Sequence, residues 1–197
     1  MSGPPVYGLL LSGGASKRMQ RDKAHVEYHG EPQLLRAWRL LSAVAEQAFV
    51  SVREDQRADP LRAGLPMLVD SYDSIGPAAG ILSAQDAHPK AAWLVLACDL
   101  PLLDQGTLQT LMAGRDTAAD ATAFTSRHDG LPEPLCAIWE PASHAFLLQR
   151  YQAGEYCPRK ALIRSNTTLL PPPGEALDNI NTPADLEQMR SAVEART

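Results

Sequence analysis

Ala91-Ala92-Trp93-Leu94-Val95-Leu96-Ala97 runs without a polar side chain and ends at Cys98-Asp99. A short, unbroken apolar run bounded by turn residues fits a strand buried on both faces, and a sheet with such a strand needs helices over each face. Upstream, Val6-Tyr7-Gly8-Leu9-Leu10-Leu11 is a second run of this kind, stopped by the Gly-rich turn Ser12-Gly13-Gly14. Between the two, Ala24 to Tyr28 alternates into the turn His29-Gly30-Glu31-Pro32, and Leu34, Leu35, Trp38, Leu41 and Val44 recur at helical spacing. Ala48–Val52 and Pro66–Val69 read as further strands, and Ala78–Ala87 as a helix.

Beyond the central run, the pattern predicts a helix over Asp104–Met112, strands over Ala121–Thr125 and Leu135–Trp139, and helices over Ser143–Tyr151 and Arg159–Ile163. Pro183 can open a last helix, because the first helical position needs no N–H. Alternating strands and helices predict an α/β fold, a Rossmann-like three-layer α/β/α arrangement with a mostly parallel central sheet. Pro171-Pro172-Pro173-Gly174 is the one linker-like stretch and lies too near the end to separate two domains, so a single domain over residues 1–197 is expected.

The chain has 197 residues, 45% of them hydrophobic, and a formal charge of −5. That is enough apolar material for a real core and too acidic for a general nucleic-acid surface, whose phosphates demand a basic face. No run of about 18 apolar residues occurs, and Met1-Ser2-Gly3-Pro4-Pro5 lacks the basic start and apolar stretch of a signal peptide; a soluble, cytoplasmic protein is expected. Cys98, Cys136 and Cys157 are odd in number and widely spaced, which argues against a disulfide framework and a structural zinc site.

The average charge conceals a local excess. Lys17, Arg18, Arg21 and Lys23 face one acid, Asp22, so seven residues carry +3 and the rest of the −5 chain carries −8. These cations follow Gly13 and Gly14, whose backbone N–H groups can approach an anion, at the carboxyl end of a strand where α/β sheets bind ligands. The pattern favours a polyphosphate. It matches neither GxGxxG nor GxxxxGK[ST], and a solvated basic loop fits the same residues.

Asp99 should emerge at the carboxyl edge of the central strand, where a carboxylate can help hold Mg²⁺ together with substrate phosphates; a capping Asp before Leu100-Pro101 is the alternative. Asp70 closes the third strand, and Ser74-Ile75-Gly76-Pro77-Ala78-Ala79-Gly80 forms a second Gly-rich junction that can border the same crevice. Asn179 and Asn181 stand two residues apart in Asp178-Asn179-Ile180-Asn181-Thr182-Pro183, on one side of an extended segment, where helix capping by Asn181 or Thr182 is also open.

Taken in order, Leu11-Ser12-Gly13-Gly14, Arg18-Met19, Asp22-Lys23, Asp70, Gly76-Pro77-Ala78-Ala79-Gly80, Cys98-Asp99-Leu100-Pro101, Glu133-Pro134-Leu135 and Asn179-Ile180-Asn181-Thr182-Pro183 resemble the molybdenum cofactor guanylyltransferases, a group of α/β nucleotidyltransferases. The resemblance runs from about residue 6 to residue 190. It implies transfer of GMP from Mg²⁺–GTP to the terminal phosphate of molybdopterin or its molybdenum-loaded form, with release of pyrophosphate. It also implies cofactor-delivering or acceptor proteins of the molybdoenzyme pathway as partners.

Carried over by position, Leu11, Ser12, Gly13 and Gly14 would contact the nucleotide, Lys23 and Arg18 its phosphates, Asp70 would lie at the nucleoside, and Gly80 would belong to the same binding set. Asp99 would ligate Mg²⁺, and Asn179 and Asn181, with Pro101 nearby, would face the pterin-side substrate or the metal site. Ser12, Gln20 and Ala78 stand where the family often has Ala, Gly and Leu, and Ser51-Val52-Arg53 occupies a region where it can present an Asn. A phosphate nucleophile is already anionic at pH 7, which agrees with the scattered positions of His25, His29, His88, His128 and His144. A molybdopterin cytidylyltransferase, a sugar-phosphate nucleotidyltransferase and a non-catalytic nucleotide-binding protein are the competing readings.

Overall fold

A computed structural model describes residues 3–12, 23–28, 30–72 and 76–179. β1 (Val6–Leu11) is followed by a 3-10 segment, Lys23–His25, and by a hairpin of β2 (Glu27–Tyr28) and β3 (Glu31–Pro32). Next come α1 (Gln33–Ser42), β4 (Gln47–Val52), a 3-10 turn at Glu54–Gln56, β5 (Met67–Val69), α2 (Pro77–Ala87) and β6 (Ala92–Ala97). The second half holds α3 (Gln105–Ala113), β7 (Ala121–Thr125), β8 (Pro132–Trp139), α4 (Ser143–Gln152), α5 (Pro158–Arg164) and β9 (Thr167–Leu170). The helix expected from Pro183 lies outside the described residues.

Among the described residues, seven strands form one sheet in the order β5-β4-β1-β6-β8-β7-β9. β1 is parallel to β4 and β6, β4 to β5, and β7 to β9, while β8 runs antiparallel to β6 and β7. The expected mostly parallel sheet is therefore present. Alternate side chains of each strand enter opposite layers. Leu10, Val50, Leu94, Leu96 and Ile138 pack with Leu34, Leu41, Leu108 and Leu111 of α1 and α3. Leu9, Trp93, Val95, Ala137 and Trp139 pack with residues of α2, α4 and α5. Helices cover both faces, so every residue of β6 is buried.

Helix boundaries follow from local chemistry. Leu34, Ala37 and Leu41 make the buried stripe of α1, and the Asp104 carboxylate accepts the Thr107 N–H at 2.7 Å to cap α3. Pro77 and Pro158 stand at the first turns of α2 and α5, where a missing N–H is tolerated. No helix among the described residues is long and apolar enough to cross a membrane.

Glu31 and Pro32, read as part of a turn, form β3, and two further strands depart from the sequence expectation. β8 starts at Pro132, earlier than Leu135, because Pro132 and Pro134 hide the strand pattern and a register shift between Ala123 and Thr125 of β7 accommodates them. β9 was not expected at all. It is an edge strand with no fully buried residue, so it carries little hydrophobic signal.

Gly8 of β1 sits under α1, and a Cβ there would lie 2.6 Å from Cγ of the fully buried Leu41. Gly8→Ala should destabilise the protein by about 1–3 kcal/mol through overpacking, read from the shift of a urea unfolding curve. An unchanged midpoint would show that α1 yields without strain.

Candidate active site

The strand order reverses beside β1. The chain lays β4 and β5 on one side of it and β6 on the other, which creates a switch point with a crevice beyond the carboxyl ends of the strands. Leu11, the last residue of β1, is in register with Ser51 of β4 and Ala97 of β6, and the Cys98 N–H donates to the Leu11 carbonyl. The start of the Gly-rich segment and the turn carrying Asp99 therefore leave the sheet side by side. Gly13, Gly14, Lys17, Arg18, Gln20, Arg21 and Asn181 lie outside the described residues. Lys23 opens the 3-10 segment at the far end of that stretch.

Ser12 is buried, and its hydroxyl donates to the Ser51 carbonyl at 2.9 Å. Ser51, also buried, donates from Oγ to Asp70 Oδ1 at 2.6 Å, and the Asp70 N–H donates to the Val52 carbonyl at the end of β4. One chain of hydrogen bonds thus joins the ends of β1, β4 and β5. Ser51, to which the sequence assigned no contact, is its centre. Gly80 belongs to α2, where a Cβ would lie 2.5 Å from Ser51 Oγ and 2.7 Å from Leu11 Cδ2; glycine lets the helix sit directly on this chain. Burial pushes the Asp70 carboxyl above the usual range, partly offset by the Ser51 hydrogen bond and the Arg53 charge.

An arginine that sequence reasoning did not single out completes this side. Arg62, in the turn between the Glu54–Gln56 segment and β5, is fully buried. Its Nε donates to Ser12 Oγ at 3.1 Å, Nη2 to the Ser12 carbonyl at 3.2 Å, and Nη1 pairs with Asp59. Asp59 Oδ1 also lies 3.4 Å from Nε2 of His25. Nothing in Leu61-Arg62-Ala63-Gly64 marks such a role, since the partner is 50 residues away.

The other side of the crevice is a cleft of about 230 Å³. Asp99, Glu133, Pro134, Leu135 and Asn179 line it, so three separate motifs of the sequence meet there. Asp99 is half-buried, and Pro101 is buried in the turn that follows. Arg159, also at the cleft, donates to Asp129 and Glu133, both at 3.0 Å. Asp178 accepts from Arg127 Nε and contacts His128 Nε2, each at 3.0 Å. Burial raises the Asp178 pKa, but the Arg127 and His128 hydrogen bonds outweigh it and leave the carboxyl below its ordinary value. Cys136 reaches the cleft as a neutral thiol, since burial, aided by the Glu133 charge, pushes its pKa up to about 12. His128 and Arg159 were not expected at the site, because no spacing relates them to Asp99.

The donor chemistry around Asp99 fits a hard cation. Asp99, Asp129, Glu133, Asp178 and Asn179 line the same cleft, oxygen-bearing residues of the kind such a cation takes, and among the described residues no group of three or more His, Cys, Asp or Glu could enclose a metal. Mg²⁺ suits such a sparse oxygen set because it retains waters and takes its other ligands from substrate phosphates.

The sequence profile of the MobA-like NTP transferase domain matches residues 8–168. The chain belongs to that family. It is 33% identical over 195 residues to the molybdenum cofactor guanylyltransferase of Pseudomonas aeruginosa PAO1, covering 95% of this chain and 96% of that protein. It is 30% identical over 187 residues to the enzyme of the same name from Pseudomonas putida KT2440, covering 93% and 97%. A molybdenum cofactor biosynthesis bifunctional protein of Synechocystis is 35% identical over 190 residues; the match covers 96% of this chain and 55% of that longer protein. The crystal structure of molybdopterin-guanine dinucleotide biosynthesis protein A from Archaeoglobus fulgidus superposes with a TM-score of 0.80 over 96% of this chain and 99% of that one, at 24% identity. The resemblance read from the motifs and the nucleotidyltransferase fold are thereby established.

The raised Asp70 pKa has a sign that can be measured. The folded protein holds a proton there to higher pH than the unfolded chain does, so the resulting stability is full below the ordinary carboxylate value and is lost as pH rises through the raised one. At pH 7 a desolvated charge remains. Asp70→Asn removes the charge while its Oδ1 still accepts from Ser51. The variant should melt above the wild type at pH 7, with the gap narrowing toward pH 4 in calorimetric scans. A lower melting temperature at pH 7 would contradict the burial effect.

Proposed function

We propose that this MobA-like transferase moves GMP from GTP to the terminal phosphate of molybdopterin or its molybdenum-loaded form and releases pyrophosphate. The observation that carries the proposal is the register of Leu11 with Ala97, which brings Ser12 and the Asp99 turn side by side at the carboxyl ends of β1 and β6. The choice of GTP and a pterin is supported by the names of relatives at 30–33% identity over nearly full length.

In this reading the nucleoside lies at the Ser12, Ser51 and Asp70 side, and the acceptor occupies the cleft between Asp99 and Asn179. An acceptor phosphate oxygen attacks the α-phosphorus, a new P–O bond forms, and the bond to the β-phosphate bridging oxygen breaks. The nucleophile is already anionic, so no side chain must take a proton; repulsion between anions is the barrier to overcome. Lys23 and Arg18 offset that repulsion at the phosphates, and the backbone N–H groups of Gly13 and Gly14 receive the phosphate oxygens. Asp99, with Asn179, would hold Mg²⁺, which when bound supplies charge neutralisation at the α-phosphate and the leaving pyrophosphate. Residues 11–14, 18, 23, 70, 80, 99, 101, 179 and 181 all enter as members of this one site. The cytoplasm, where GTP is available, is the proposed compartment.

Purified protein incubated with molybdopterin and Mg²⁺, and with GTP or CTP in parallel, should release pyrophosphate and form the dinucleotide product with GTP. Product with CTP alone would overturn the guanylyl assignment. Product with neither would favour a binding protein. Asp99→Ala and Lys23→Ala should each lower turnover about a hundredfold or more while leaving the unfolding midpoint near that of the wild type. Near-wild-type rates for both at limiting Mg²⁺ would overturn the site assignment.

A further inference from the structure

Segment 13–22 joins two described points, Ser12 at the end of β1 and the 3-10 turn Lys23–His25. Both points touch the same pair of side chains. Arg62 donates to the carbonyl and the hydroxyl of Ser12, and Asp59, its ion-pair partner, reaches His25 at 3.4 Å. We infer that Arg62, held by Asp59, is a positioning residue for GTP: its fork fixes the hydroxyl and the carbonyl of Ser12, the residue at the end of β1 that meets the nucleotide. The inference rests on the proposed function, in which Ser12 lies at the nucleotide.

Several physical facts argue for this role over mere packing. A guanidinium with no exposed surface carries a large desolvation penalty, and an apolar side chain of the same volume would often be as stable or more so. Arg62 therefore needs a reason to be charged. Its fork places two donors on one residue, fixing both the hydroxyl rotamer and the carbonyl direction of Ser12 immediately before Gly13. Asp59 is itself anchored: its Oδ1 accepts the Leu61 N–H at 2.9 Å, and its carbonyl accepts the N–H groups of Arg62 and Ala63. The turn 59–63 is thus a bracket anchored by its own hydrogen bonds.

Ser12 also donates to the Ser51 carbonyl, and Ser51 to Asp70, so a displaced Ser12 would disturb the nucleoside side as well as the phosphate side. None of Ser12, Ser51, Asp70 and Arg62 lines the cleft around Asn179 and Glu133. A defect at Arg62 should therefore fall on GTP and spare the pterin.

The test measures GTP affinity in the presence of Mg²⁺ by calorimetry, steady-state constants for GTP and molybdopterin, and melting temperature. Arg62→Lys keeps a cation beside Asp59 but cannot donate to both Ser12 atoms. Its Kd and KM for GTP should rise about tenfold, about 1.4 kcal/mol, with the KM for molybdopterin unchanged and kcat changed less than KM. Because removing the charge alone would leave Asp59 unpaired, the second variant is the double change Arg62→Met with Asp59→Asn. It should regain most of the wild-type melting temperature and retain the weak GTP binding.

Wild-type GTP constants in either variant would overturn the inference. So would a loss confined to melting temperature, which would make Arg62 structural only. A wild-type protein that binds no GTP would instead refute the functional reading, and the Arg62 assignment with it.

Discussion

β1 is hydrogen-bonded to a parallel neighbour on each side and buried on both faces, and the site depends on that double constraint. A strand in this position cannot slip by one residue without sending every side chain into the wrong layer. Its end, at Leu11, is therefore a fixed point. Ser51 of β4 and Ala97 of β6 are tied to the same level by register, and Val69 of β5 is tied to Val52. Ser12, Asp70 and the Asp99 turn each follow one of these strand ends, so their proximity is a consequence of backbone pairing and requires no contact among the three.

The two halves of the crevice are built differently. On the β4–β5 side, Ser12, Ser51 and Arg62 are buried and bonded to one another, and buried polar groups of this kind persist only when their partners are satisfied. That half is stiff. On the β8 side the cleft is edged by partly exposed ion pairs, Arg159 with Asp129 and Glu133, and His128 with Asp178. Such pairs are weak and screened by solvent, and a charged ligand can replace one partner at little cost. In the proposed function the stiff side would hold the nucleotide and the adaptable side would admit the acceptor.

Legibility in the sequence followed hydrophobic signal. The β1 and β6 runs, the Leu34–Leu41 stripe and the Asp104 cap are local patterns, and each became the expected element. The start of β8 was hidden by Pro132 and Pro134, and β9 by its edge position, since neither buries enough side chain to leave a periodicity. Among the residues that line the crevice, Asp70, Asp99 and Asn179 lie in motifs that the sequence singled out. Arg62, Ser51 and Arg159 could not be named in advance, because each acts through a partner distant in the chain: Ser12, Asp70 and Asp129 or Glu133.

The order of the buried strands and the helices between them, the fold class and the acidic and Gly-rich strand ends were determined by the sequence alone, because burial periodicity and turn chemistry act over a few neighbouring residues. Tertiary structure decided which strand ends stand together, that Gly80 gives α2 room against Ser51, and that a buried arginine grips the residue before the Gly-rich segment. Those outcomes depend on distances across the sheet, and a linear pattern carries no information about a hydrogen bond that spans 50 residues.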